Sequence, residues 1–126
     1  MRLAIPIFES RISPVFDFST KALLFDLEEG KETGRSEMKL AGLAPQARVE
    51  RLKTAGVNTL VCASISLALQ RMLIDAGLDV IPGIVGEVDD VLNAYQTGNL
   101  KAEQFLMPGL CQRCRKRKRY WGGNRQ

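Results

Sequence analysis

Apolar residues recur along the chain in two rhythms. Residues 3–8 (LAIPIF) form a short, almost unbroken apolar run, and residues 57–64 (VNTLVCAS) and 78–86 (LDVIPGIVG) repeat that character. Such runs read as strands buried on both faces, the habit of parallel sheets. Residues 21–27 (KALLFDL) predict a second strand in chain order and 33–40 a third. A glycine-centred turn over 28–32 joins these two, which makes them a hairpin. A period near 3.6 governs three other stretches. Residues 42–56 predict a helix with Pro45 in its first turn, Val49 and Leu52 on one face and Gly56 as its stop. Ser66 predicts the N-cap of a second helix that turns Leu69, Met72 and Leu73 inward and ends at Gly77. A third begins near Gly86 with Glu87, Asp89 and Asp90 in its first turn, where acids suit the helix dipole. It aligns Val88, Val91, Leu92 and Tyr95 and closes at Gly98.

The order β-β-β-α-β-α-β-α predicts an antiparallel hairpin followed by two crossovers. With the first strand central, the fold class is α/β: a mixed five-stranded sheet flanked by helices, a ribonuclease H-like three-layer sandwich. In such a sheet ligands bind beyond the carboxyl ends of the parallel strands. Three loops converge there, at residues 8–18, 63–66 and 82–86. The first of them, FESRISPVFDF, is too polar for a core strand and too rich in apolar side chains for an idle loop. It is expected to wall a ligand cleft.

Composition narrows the class. A chain of 126 residues and 14.0 kDa suits one domain with an appendage. The division falls between a domain over 1–109 and a basic tail over 110–126 that predicts disorder or folding on a partner. No apolar run approaches the roughly 20 residues of a membrane span, and the first residues lack the apolar core of a signal peptide, so a cytoplasmic protein is expected. The net charge of +4 is unevenly placed. Residues 111–126 carry seven Lys/Arg and no acid, which leaves 11 basic and 14 acidic residues in 1–110, a net −3. A uniformly basic nucleic-acid-binding domain is thereby excluded. Histidine is absent, and with it go Ser–His and Cys–His nucleophiles and every histidine metal site.

The candidate chemistry lies in the cleft and the tail. Ser64 and Ser66 stand at a predicted helix start, where free N–H groups favour an anion, and Arg11 would reach the same anion with its two-pronged guanidinium. The plainer reading is that Ser66 only caps its helix, Arg11 is solvated and Ser13-Pro14 shapes a turn. Gly83 and Gly86 would let a ligand approach the backbone, or serve the turn alone. A nuclease needs carboxylates clustered around divalent metal ions, and residues 3–8 carry none. Cys62 sits in an apolar run and reads as a buried hydrophobe. Cys111 and Cys114 form a C-x-x-C, half of a four-ligand metal site, which a homodimer or a partner's cluster would complete. Adjacent arginines also leave a thiol redox role open. The run RCRKRKRYWGGNRQ joins basic charge to Tyr120 and Trp121, a combination that holds single-stranded nucleic acid or docks an acidic partner, and that equally serves as a solubilising tail.

The segments AIPIFESRISPVFDFS, GVNTLVCASIS and AGLDVIPGIVGEVDDVLNAYQTGNL, with the closing MPG, resemble the dinitrogenase iron–molybdenum cofactor biosynthesis family over residues 1–109. The resemblance implies the ribonuclease H-like fold and a non-catalytic carrier of an anionic iron–sulfur or iron–molybdenum-type cluster, working with a cluster donor or acceptor protein. Family members often carry a histidine beside the phenylalanine of the first loop, where this chain has Val15, and a glycine-rich loop where it has ASIS. The residues expected around the ligand are Glu9, Ser10, Arg11, Ser13 and Phe16 from the first loop. Ser64, Ser66 and Gly83 join them from the others, and Cys111 and Cys114 are the candidate metal ligands. The alternative is an interaction protein whose basic aromatic tail binds nucleic acid or an acidic protein.

Overall fold

The computed structural model describes residues 1–98; the tail, with Cys111, Cys114, Tyr120 and Trp121, lies outside the described residues. In chain order the elements are β1 (Arg2–Phe8), β2 (Arg11–Ile12), a one-turn 3₁₀ helix (Phe16–Phe18), β3 (Lys21–Glu28), β4 (Lys31–Lys39), α1 (Pro45–Thr54), β5 (Thr59–Val61), α2 (Leu67–Asp75), β6 (Asp79–Ile81) and α3 (Val88–Thr97). The sheet runs β4-β3-β1-β5-β6, with β2 paired to β1 off that path. β1 is antiparallel to β3, with Ile5 opposite Leu23, and parallel to β5, with Ala4 opposite Leu60. β5 and β6 are parallel, so β1, β5 and β6 share one carboxyl edge.

Strand alternation sorts the core into two layers. Leu3, Ile5 and Ile7 of β1, with Phe25, Leu27 and Val61, face α3 through Val88, Val91 and Leu92. Ala4, Leu24, Leu60 and Cys62 point to the other face, where α1 and α2 cover them with Val49, Leu52, Leu69 and Leu73. Leu52 and Leu73 are fully buried, each stabilising the fold by about 1.5–3 kcal/mol. The result is the three-layer α/β sandwich that the apolar pattern predicts, with β1 at its centre.

Local chemistry sets the boundaries. The β3–β4 turn places Glu29 and Gly30 both at positive φ (51° and 77°), the pairing whose twist matches a tight hairpin. Ser66 caps α2, its Oγ accepting from Leu69 N–H at 3.2 Å. Gly98 ends α3 in the left-handed region at φ 80°. The sheet has six strands rather than five because residues 11–12 fold back on the end of β1. That two-residue strand is too short to show a period.

Candidate functional site

The loop after β1 forms a fixed wall. β1 ends at Phe8, the chain reverses through Glu9 and Ser10, and Arg11 and Ile12 pair back with Phe8 and Ile7. Glu9 takes φ 59° to make that turn, a conformation disfavoured for any residue with a Cβ. Backbone bonds then tie the hairpin to the segment entering α3. Ile12 N–H donates to Gly86 O at 3.1 Å and Val88 N–H to Ser10 O at 2.9 Å. Ser10 Oγ also donates to Glu87 Oε2 at 3.0 Å.

The second half of the loop is tied to the β5–α2 connection. Ser64 N–H donates to Pro14 O at 3.0 Å, and Phe16 N–H donates to Ser64 O at 2.8 Å. Phe16 then turns wholly into the core. Below it, Arg48 of α1 is only 4% exposed. Its guanidinium donates to the carbonyls of Leu43 (3.1 Å), Phe16 (3.2 Å) and Ser19 (2.8 Å). It also lies 5.8 Å from the centroid of the Phe16 ring. Burial holds the Arg48 pKa below its ordinary value, partly offset by Asp17. Three main-chain carbonyls around one buried cation make Arg48 the clamp on the foot of the loop.

Between these ties lies a cleft with a volume of about 590 Å³, within the range of small-ligand sites. Phe8, Ile12, Pro14, Val15, Ala63 and Val85 give it mostly apolar walls; Glu9, Arg11 and Ser64 bring polar groups, with Gly86 at one side. Among the described residues, Arg11 is the one cationic side chain in this lining and Glu9 the one acid. A second, smaller hollow of about 360 Å³ lies on the other side of Phe8 and Glu9, bounded by Lys21 and Glu37.

The donor set limits what the cleft does. Among the described residues no group of three or more His, Cys, Asp or Glu could hold a metal ion. Cys62 is buried, and burial, aided by the charge of Asp17, pushes its thiol up to about 12, so it stays protonated. Among the described residues the cleft offers neither thiolate nor imidazole. It therefore does not fit a cluster that needs direct ligation by these residues. It fits an anion held from outside, against apolar walls and beside a guanidinium.

Of the residues singled out from sequence, Glu9, Arg11 and Ser64 line the cleft. Ser10 is not among the lining residues and is bonded to Glu87. Ser13 is buried, its N–H donating to Pro6 O. Phe16 is core rather than lining, because the Arg48 clamp and the Ser64 bond turn it inward. Ser66 caps α2, and its N–H is taken by Asp17 Oδ1 at 2.8 Å, so the predicted anion position at that helix start holds the chain's own carboxylate. Gly83 is buried at φ 80°, its N–H bonded to Ala63 O; it shapes the turn beneath the cleft. Sequence reasoning missed Arg48 and the role of Asp17. Charged residues in a helix and a turn carry no local sign of a buried partner.

Solved structures share this fold. PH0822 matches with a TM-score of 0.77 and 22% identity over 82% of this chain and 95% of that one. A Methanocaldococcus jannaschii protein provisionally named a dinitrogenase matches with a TM-score of 0.68 and 16% identity, over 79% and 91%. A Thermotoga protein provisionally named NifB is 26% identical with a TM-score of 0.59, over 78% and 89%. No curated protein matches the chain. The sequence pattern of the dinitrogenase iron–molybdenum cofactor family matches residues 1–98, the whole of the domain whose sheet and cleft are described above, and the chain belongs to that family.

Proposed function

We propose that this protein is a non-catalytic cytoplasmic carrier of an anionic iron–sulfur-type cluster or its precursor, received from and passed to partner proteins of cofactor assembly. The observation that carries the reading is the cleft at the shared carboxyl edge of β1, β5 and β6, preformed by backbone ties and presenting Arg11 among apolar walls. Family membership supports this choice of ligand class. Each part has a physical role. Phe8, Ile12 and Val85 exclude water around the cluster, which strengthens the pull of Arg11. The ties at Ser10, Ile12, Pro14 and Phe16 hold the wall in place before binding, so little ordering entropy is lost on uptake. Glu9 opposes Arg11 and keeps the hold weak, as release to an acceptor requires.

The test is the iron, molybdenum and sulfide content of the full chain after anaerobic incubation with a preformed iron–sulfur cluster. The visible spectrum is recorded, and the Cys111→Ser/Cys114→Ser variant is treated in parallel. Charge-transfer absorption in both chains supports a cargo held in the cleft. Loss in the variant moves the ligation to Cys111 and Cys114. No uptake by either overturns the carrier reading.

A further inference from the structure

Five large apolar side chains stand exposed among the described residues, and three gather at the cleft end: Phe8 (62% exposed), Phe18 (81%) and Leu67 (75%). Phe8 forms part of the cleft wall. Phe18 and Leu67 are the chain neighbours of Asp17 and Ser66, the pair joined by the 2.8 Å bond, so they flank the same spot. Neither belongs to a core cluster. Single exposed apolar residues are ordinary, but a group beside a cleft marks a surface that something covers. Acids mark its rim: Glu9 lines the cleft with Arg11, Glu87 is bridged to Arg11 through the backbone, and Asp17 lies at the Ser66 N–H between Phe18 and Leu67.

The chain itself carries the complement. Residues 1–98 hold 10 Lys/Arg and 13 Asp/Glu, a net −3, whereas residues 99–126 hold 8 and 1, a net +7. Within that second stretch the basic run leads directly into Tyr120 and Trp121. Reach is ample. α3 starts at the cleft end, where Val88 N–H meets Ser10 O, and runs to the opposite edge, where Tyr95 lies by Met1. Its ten residues span about 15 Å. The 23 residues from Gly98 to Trp121 extend to about 75 Å, and such a tether gives an effective concentration of order millimolar.

We propose that residues 111–121 fold back onto this surface of their own chain. Tyr120 and Trp121 pack on Phe18 and Leu67, and the basic side chains face Glu9, Asp17 and Glu87. Cys111 and Cys114 then come to the mouth of a cleft that has no thiolate among the described residues. That last consequence rests on the carrier reading; the docking does not.

Trp121 is the chain's only tryptophan, so its fluorescence in the metal-free full chain reads the docking directly. The expected emission is blue-shifted from that of the denatured chain and shielded from acrylamide. It is unchanged on dilution, and it moves toward the solvent value in about 1 M salt, where the Debye length falls to about 3 Å. In Phe18→Ser/Leu67→Ser the shift is lost, while circular dichroism confirms the fold, since both side chains are exposed. Solvent-like emission in the folded native chain overturns the proposal, as does a blue shift indifferent to the double substitution. A shift that vanishes on dilution assigns the contact to a second copy and overturns docking within one chain. Because no metal is present, a docked chain that takes up no iron fails only the carrier reading, and an iron-loaded chain with exposed Trp121 fails only this one.

Discussion

Asp17 Oδ1 accepts the Ser66 N–H at 2.8 Å, so a carboxylate from the cleft loop sits on the amino end of α2. Ser66 Oγ meanwhile accepts Leu69 N–H. Two of the free donors at the helix start are thus satisfied from within the chain, and the loop and α2 are fastened to one another. An anionic ligand taken up by the cleft would meet Arg11 in its lining, with the Asp17 carboxylate held at Ser66, two residues past the lining residue Ser64.

Removing Asp17 separates these effects. Asp17→Ala is expected to destabilise the protein by about 1 kcal/mol through the lost helix-start bond, read from the urea midpoint. It is also expected to raise the affinity of the cleft for an anionic cluster by roughly two- to fivefold, the scale of one helix-terminal charge. Asp17→Asn keeps an acceptor and should recover most of the stability while retaining the gain in affinity.

Arg48 fastens the foot of the loop from outside it. Arg48→Met leaves the carbonyls of Phe16, Ser19 and Leu43 without the guanidinium that now binds them, three groups joined by one cation. A loss of about 2–4 kcal/mol is expected from chemical denaturation. Arg48→Lys should recover little of it, since an ammonium lacks the planar fork that reaches all three.

Glu9 holds a positive φ of 59° where glycine is at ease. Glu9→Gly is expected to stabilise the fold by about 0.5–1 kcal/mol in spite of glycine's greater freedom in the unfolded chain. Glu9→Gln should leave stability unchanged and strengthen anion binding, because it removes only the charge. Thermal melts of the two variants distinguish strain from charge.

Cys62 gives the fold a pH limit. Its thiol is raised from 9.0 to about 12 in the folded chain. A raised folded pKa means that the stabilisation is complete below about pH 9 and is lost as pH climbs from there toward 12, at up to about 1.4 kcal/mol per pH unit. Urea midpoints at pH 8 and 10 should therefore fall in the native chain and fall less in Cys62→Ala. At pH 8 the peptide containing Cys62 should resist iodoacetamide until the chain is unfolded.

Much of the architecture is legible in the sequence because burial imposes a period. The two-sided run over β1, the hairpin of β3 and β4, the Ser66 cap and the glycine stops all follow from local rules. The cleft's position follows from strand order alone. What escapes is set by contacts far apart in the chain. Nothing in FESRISPVFDF tells which phenylalanine turns inward; Arg48, 32 residues away, takes the Phe16 carbonyl and favours Phe16 over Phe8 and Phe18. The strand Arg11–Ile12 exists because Gly86 and Ser10 exchange bonds with residues distant in sequence. Ser64 and Ser66 look alike on paper, yet one lines the cleft and the other is engaged by Asp17.

The proposed holding of an anionic metal–sulfur cluster in the cleft is most exposed to test at Arg11. The measurement is anaerobic titration of the full chain and of Arg11→Glu with a preformed iron–sulfur cluster, followed by visible absorption and bound iron. A charge-assisted hydrogen bond of about 1.5–3 kcal/mol predicts at least a tenfold weaker hold in the variant, with the fold intact because Arg11 is exposed. Equal uptake by the two chains would remove the cleft as the place where the cluster sits.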